Sequence, residues 1–146
     1  MSLLANEAAT VSIGADLAQA LRPGDVITLS GDLGVGKTAL ARAILHASGH
    51  AGEVPSPTFA IVQPYDDLPL PIWHADLYRI QNPAELDEIG LETALEGGAL
   101  LVEWPERAGA GAWPEALALR LDFAPGGARE LTVQVPAAWE DRWPLR

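Results

Sequence analysis

Apolar positions along the chain keep two rhythms. The first is helical: Ile13, Leu17 and Leu21 recur at four-residue intervals behind Asn6, a side chain suited to an N-cap, and Glu7, an acid in the first turn. The pattern predicts a helix over about Asn6 to Leu21, stopped by Arg22-Pro23-Gly24. A second helix is predicted behind Gly36, with Leu40, Ile44 and Ala47 on one face, Arg42 and His46 outside, and Gly49 as C-cap. The other rhythm is that of strands. Asp25-Val26-Ile27-Thr28-Leu29-Ser30, Phe59-Ala60-Ile61-Val62-Gln63 and Ala99-Leu100-Leu101-Val102 are short apolar runs. In Pro71 to Tyr78, alternation puts Ile72, His74 and Asp76 on one face and Trp73, Ala75 and Leu77 on the other. Near the end, Leu117, Leu119, Leu121 and Phe123 alternate, Pro125-Gly126-Gly127 turns, and Leu131, Val133 and Val135 alternate again, the pattern of a hairpin. Pro83 to Glu96 is acidic and helical in pattern, broken at Gly90. Trp139, Trp143 and Leu145 make the last residues too apolar for a free tail, so they pack down or face a partner.

Between the first central strand and its helix lies Gly31-Asp32-Leu33-Gly34-Val35-Gly36-Lys37-Thr38, a Walker A phosphate loop in the strand–turn–helix context that the motif requires. Gly31, Gly34 and Gly36 free the backbone to close its amides on phosphate oxygens, and the helix beginning near Lys37 adds its positive dipole end. Lys37 is expected to reach the β- and γ-phosphates, and the Thr38 hydroxyl to ligate Mg²⁺. The nucleotide-binding stretch therefore runs from Gly31 to Thr38 and on to Ala39. Lys37 is the only lysine of the chain. The predicted fold is α/β: a single P-loop NTPase domain over residues 1–146, with a mixed, mostly parallel central sheet flanked by helices and a C-terminal β-hairpin.

Charge changes the picture of partners. The 146 residues carry a formal net charge of −11, with Lys and Arg together numbering 9. Displacing counterions from nucleic acid needs clustered cations, so direct RNA or DNA binding is not expected. The chain has no cysteine, which excludes disulfides and thiolate metal sites. No apolar run approaches membrane-spanning length and no basic leader precedes one, so a soluble, cytoplasmic protein is expected.

Four further stretches carry candidate chemistry. Ser56-Pro57-Thr58-Phe59 is either a connector or a switch, since Thr58 follows Thr38 by about 20 residues, the spacing of a switch threonine near the γ-phosphate. Asp76 is placed at the carboxyl end of its strand, where ligands bind in open α/β sheets; the bland alternative is an N-cap or an ion pair with Arg79. His74 reads as a packed, hydrogen-bonded histidine rather than a base, and His46 and His50 as solvated surface groups. Ala99-Leu100-Leu101-Val102-Glu103 has the form of Walker B, a buried parallel strand delivering a carboxylate beside Mg²⁺, here Glu in place of the more usual Asp. Trp104 behind it covers a nucleotide or caps the core. Arg129, beside the hairpin turn, is a surface charge or a nucleotide contact. Asp87-Glu88-Ile89-Gly90 matches D-x-x-G, but no apolar strand precedes it and it reads as helix surface.

In this order the phosphate loop, Ser56-Pro57-Thr58-Phe59, His74-Ala75-Asp76-Leu77-Tyr78-Arg79 and Glu103-Trp104-Pro105 resemble TsaE, the YjeE family of bacterial P-loop ATPases in tRNA threonylcarbamoyladenosine synthesis. The resemblance runs from Thr10 to Arg129. It implies binding of ATP and Mg²⁺ with slow hydrolysis, and work alongside TsaD and TsaB, which transfer threonylcarbamoyl to adenosine 37 of tRNAs reading codons that begin with A. By position, Thr38 and Glu103 would hold Mg²⁺, Asp76 would serve the hydrolytic water or the metal's outer shell, and Thr10 and Arg129 would be peripheral nucleotide contacts. Val35 stands where the family usually has alanine.

Two other readings compete. A small P-loop kinase would need a substrate-binding insertion and an arginine-rich lid, and no insertion of that length is present. A GTPase-like binding switch would need Asn-Lys-x-Asp to read guanine, and the single lysine is already in the phosphate loop.

Overall fold

The computed structural model describes residues 2–55, 61–109 and 111–143. Seven strands form one sheet in the order β1-β7-β6-β2-β5-β4-β3. These are β1 (Ser2–Leu4), β2 (Val26–Ser30), β3 (Val62–Tyr65), β4 (Ile72–Asp76), β5 (Ala99–Glu103), β6 (Leu117–Phe123) and β7 (Arg129–Gln134). The central block β6-β2-β5-β4 is parallel throughout, and the antiparallel pairings lie toward the two edges. This is the mixed sheet that the apolar runs predict. Strands β2 and β5 are buried along nearly their whole length, as parallel strands covered on both faces must be.

Alternation divides the side chains between two cores. Ile27, Leu29, Leu101 and Leu119 join Leu17 of helix α1 (Glu7–Ala20) and Leu40 and Ile44 of helix α2 (Lys37–Ala47). On the opposite face Val26, Leu100, Val102, Ala75 and Leu77 pack with Ile80 and with Leu91 and Ala94 of a 3-10 turn, Leu91–Glu96. A short helix α3 (Glu85–Ile89) precedes that turn, and Gly90 between them is left-handed, which is the predicted break. Asp87 and Glu88 lie exposed on α3.

Local chemistry explains the helix ends. Asn6 Oδ1 accepts the Ala9 amide at 3.0 Å and caps α1. The two helices approach closely because α1 offers Gly14: a Cβ there would lie 2.5 Å from Ala43 Cβ. The buried face of α2 is consequently wider than the predicted stripe, taking in Ala41, Ala43 and Leu45, while Ala47 in the last turn is exposed.

The residues after β7 pack down. In a 3-10 turn (Ala137–Arg142), Trp139 is fully buried against the α1–α2 core. Arg142 lies over its ring at 3.8 Å and makes a two-pronged ion pair with Asp25, at 2.5 and 3.1 Å. Leu145 lies outside the described residues. Two expectations need correction, and one strand has no counterpart among the predicted elements. Strand β1 is an edge strand that three residues of sequence could not announce. The run beginning at Phe59 is paired instead over Val62–Tyr65, with Phe59 and Ala60 outside the described residues. His50 is not a free surface group; its ring is half-buried edge-on to Tyr65, with centroids 4.8 Å apart. Among the described residues no helix is long and apolar enough to cross a membrane.

Candidate functional site

The carboxyl ends of β2, β4 and β5 meet at the N-terminus of α2. Here the chain leaves β2 through Gly31, whose φ of 141° and contact with the Leu121 carbonyl leave no room for a Cβ. It enters α2 at Gly36, left-handed with φ 118° and therefore a cap without a side chain. Among the described residues no side chain caps the first amides of α2, so the helix end turns its N–H groups and its positive pole toward the loop.

Lys37 is buried in this turn, with 4% exposure. Its Nζ donates to the carbonyls of Gly31 at 2.6 Å and Asp32 at 2.8 Å, and stands 4.2 Å from the centroid of the Trp104 ring. Burial lowers its pKa below the ordinary lysine value, opposed by the negative charges of Glu103, Asp76, Glu106 and Asp32. Among the described residues the ammonium is thus held in place by two carbonyls and the Trp104 ring rather than by a carboxylate partner.

Thr38 donates its hydroxyl to Glu103, with the two carboxylate oxygens at 2.9 and 3.1 Å. This contact joins the first turn of α2 to the last residue of β5, the junction that Walker A and Walker B require. Glu103 is 2% exposed and also receives His74 Nε2 at 2.6 Å from the neighbouring strand. Asp76 stands opposite Glu103 in the β4–β5 register. Its carboxyl accepts the Tyr78 amide at 3.0 Å, so the alternative ion pair with Arg79 is absent among the described residues. Burial raises the Asp76 pKa above the usual carboxylate value, the Tyr78 N–H opposes this, and the nearby Glu103 charge raises it further. Two carboxylates on adjacent strands, Asp76 and Glu103, bring negative charge together at a place where a cation would be welcome.

The donor set suits a hard cation. A hydroxyl and a carboxylate oxygen are its preferred ligands, and among the described residues no group of three or more His, Cys, Asp or Glu forms a closed metal cage. A small divalent ion held there by one or two protein oxygens would fill its remaining positions with water and phosphate oxygens.

Trp104 is the only non-glycine residue among those described with positive φ, 59°. A bulky side chain in that region costs roughly 1–2 kcal/mol, strain that the tight turn after β5 imposes. The turn brings the indole to Lys37 and to Tyr78, with ring centroids 4.9 Å apart in the second contact. Arg129 lies on the other side of the loop. Its Nε donates to the Val35 carbonyl at 2.7 Å, its Nη1 to the carbonyls of Gly127 and Ala128, and the Phe123 ring lies 4.8 Å beneath. Arg129 is therefore not a free surface charge. Thr10 is half-buried in α1, its amide bonded to the Asn6 carbonyl at 3.3 Å, with no described contact to the loop. Leu33 is exposed, Asp32 gives its carbonyl to Lys37, and Ala39 lies in the first turn of α2. Ser56, Pro57 and Thr58 lie outside the described residues. Sequence reasoning read His74 as a packed, hydrogen-bonded histidine, which it is, but did not identify Glu103 as its partner.

Comparison with known proteins bears on this arrangement. Residues 4–131 match the family model of the threonylcarbamoyl adenosine biosynthesis protein TsaE. A curated relative, the tRNA threonylcarbamoyladenosine biosynthesis protein TsaE of Rickettsia felis, is 44% identical over 107 residues, covering 73% of this chain and 63% of the relative. The protein of the same name from Synechocystis is 43% identical over 104 residues, covering 68% of this chain and 66% of the relative. The matched region thus falls short of two-thirds of either relative's length. The crystal structure of Bacillus subtilis YdiB superposes with a TM-score of 0.80 at 30% identity, covering 96% of this chain and 87% of the other. A phosphate loop, a hydroxyl–carboxylate junction behind it and a family match that spans both lead to one conclusion: this chain belongs to the TsaE family of threonylcarbamoyladenosine biosynthesis proteins.

Proposed function

We propose that the chain is a Mg-ATP-binding, slowly hydrolysing ATPase subunit that acts with TsaB and TsaD in forming threonylcarbamoyladenosine on tRNAs reading codons that begin with A. The observation that carries the reading is the Thr38–Glu103 contact directly behind the phosphate loop, at 2.9 Å. Amides from Gly31 to Ala39 would close on the phosphates. Lys37 would exchange its two carbonyl partners for β- and γ-phosphate oxygens, a short movement for a side chain already held at the loop. Thr38 and Glu103 would hold Mg²⁺, which when bound supplies charge neutralisation across the phosphates. Asp76, made more basic by its burial, is the group suited to orient the attacking water and take its proton. Trp104 would flank the bound nucleotide, with Thr10 and Arg129 contributing at its periphery.

The charge of −11 argues that tRNA is reached only through the partner proteins. The segment Ser56-Pro57-Thr58-Phe59 is the one we assign to reporting nucleotide state to them, on its spacing from Thr38. Hydrolysis measured with ATP and with GTP, in the presence and absence of TsaB and TsaD, tests the reading. Slow turnover of ATP that rises with the pair is the expected result. Turnover indifferent to the pair, or retention of labelled tRNA by this chain alone at about 0.15 M ionic strength, would overturn the partner model.

A further inference from the structure

His74 is fully buried on β4, on the same face as Ile72 and Asp76, with Leu101 as its register partner and Glu103 diagonal to it on β5. Its Nε2 meets Glu103 Oε2 at 2.6 Å, while Nδ1 has no hydrogen-bond partner among the described residues. A carboxylate only accepts, so the contact puts the ring hydrogen on Nε2. An imidazole used at one nitrogen only, in a layer otherwise filled by Ile72 and Leu101, is a poorer filler than a leucine would be. It supplies one thing that leucine cannot, an N–H aimed at Glu103.

That N–H answers a problem set by the sequence. Glutamate has one more rotatable bond than the aspartate more usual at the end of a Walker B strand, so its carboxylate can swing. With His74 on Oε2 and the Thr38 hydroxyl bonded most closely to Oε1, the carboxylate of Glu103 is held from both sides. We propose that His74 is a positioning residue that locks the Glu103 carboxylate toward Thr38 and thereby sets the affinity of the loop for its divalent cation. The inference rests on the proposal that Thr38 and Glu103 hold Mg²⁺.

Binding of a nucleotide to the purified full chain, titrated with Mg²⁺ and repeated in EDTA, separates the two. His74→Leu should leave nucleotide affinity in EDTA within about twofold of wild type and raise the Mg²⁺ midpoint roughly 10- to 100-fold, the range for loss of an outer partner to a metal ligand. His74→Gln, whose amide nitrogen reaches about as far as Nε2, should restore most of the loss. His74→Asn, equally polar but too short, should not. The Gln and Asn pair keeps the test decisive should the leucine variant fail to fold. A wild-type midpoint in His74→Leu, equal midpoints for Gln and Asn, or parallel losses with and without Mg²⁺ would each overturn the inference. If Glu103→Ala also keeps the wild-type midpoint, the cation-site reading itself has failed. If Glu103→Ala is impaired and His74→Leu is not, only the role of His74 has.

Discussion

The Nε–H of Arg129 donates to the carbonyl of Val35 at 2.7 Å, fastening the first residue of β7 to the phosphate loop. The peptide joining Val35 to Gly36 is planar and trans, so a carbonyl turned toward Arg129 turns the Gly36 N–H the other way, into the loop. Arg129 is therefore placed to hold the orientation of the Gly36 amide, one of those assigned to phosphate in the proposed function. Arg129→Ala is expected to weaken nucleotide affinity roughly tenfold, the effect of about 1–3 kcal/mol from an unpaired polar group. Arg129→Lys should recover little, because one ammonium cannot reproduce a fork that serves three carbonyls. Calorimetric titration of both variants provides the measurement.

Lys37→Ala removes the only ammonium in the loop. Charge-assisted contacts to phosphate are worth about 1.5–3 kcal/mol each, so nucleotide affinity should fall at least about tenfold. Unchanged affinity by calorimetry would contradict the assignment of the site.

Glu103→Ala should cut hydrolysis far more than it cuts nucleotide binding in EDTA, since the carboxylate is assigned to the cation. Comparing turnover with metal-free affinity checks this; equal losses would instead indicate a folding defect.

Asp76→Asn separates stability from turnover. A buried carboxyl with a raised pKa binds its proton more tightly folded than unfolded, so stability falls as pH rises through the folded value. At neutral pH the amide avoids that penalty, and the nucleotide-free variant should melt at a higher temperature than wild type. Well below the ordinary aspartate value, about 3.9, both forms are neutral and the advantage should vanish. Hydrolysis should drop by roughly 10²-fold or more if Asp76 accepts the proton of water. Melting curves across pH, paired with turnover at neutral pH, report both effects.

Arg142→Ala leaves Asp25 buried without its partner, and breaking such a pair costs about 3–5 kcal/mol. A large fall in melting temperature is expected, with metal-free nucleotide affinity per folded molecule unchanged, because the ion pair lies at the opposite end of β2 from the loop. Denaturant titration gives the magnitude.

Much of this architecture could be read in advance because its signals are local. Asn6 caps the helix directly behind it, Gly36 and Lys37 open a helix whatever lies elsewhere, and four apolar residues before Glu103 describe a strand buried on both faces. The features that escaped depend on residues far apart in the chain. Arg129 and Val35, like Arg142 and Asp25, meet only once the sheet order is known. His74 reaches Glu103 because β4 and β5 are parallel and in register. The strand Ser2–Leu4 has no pattern of its own and exists through its pairing with β7.

The place of β2 between β5 and β6 has a consequence for synthesis. Both neighbours run parallel to it and begin only at Ala99 and Leu117, so no hairpin can form the centre of the sheet early. On a ribosome, the phosphate loop would emerge long before the strands that fix it. Its strand, apolar and unpaired, must wait with both edges open, a stage at which such segments associate wrongly. The loop of the nucleotide site is thus made well before the strands that hold it in shape.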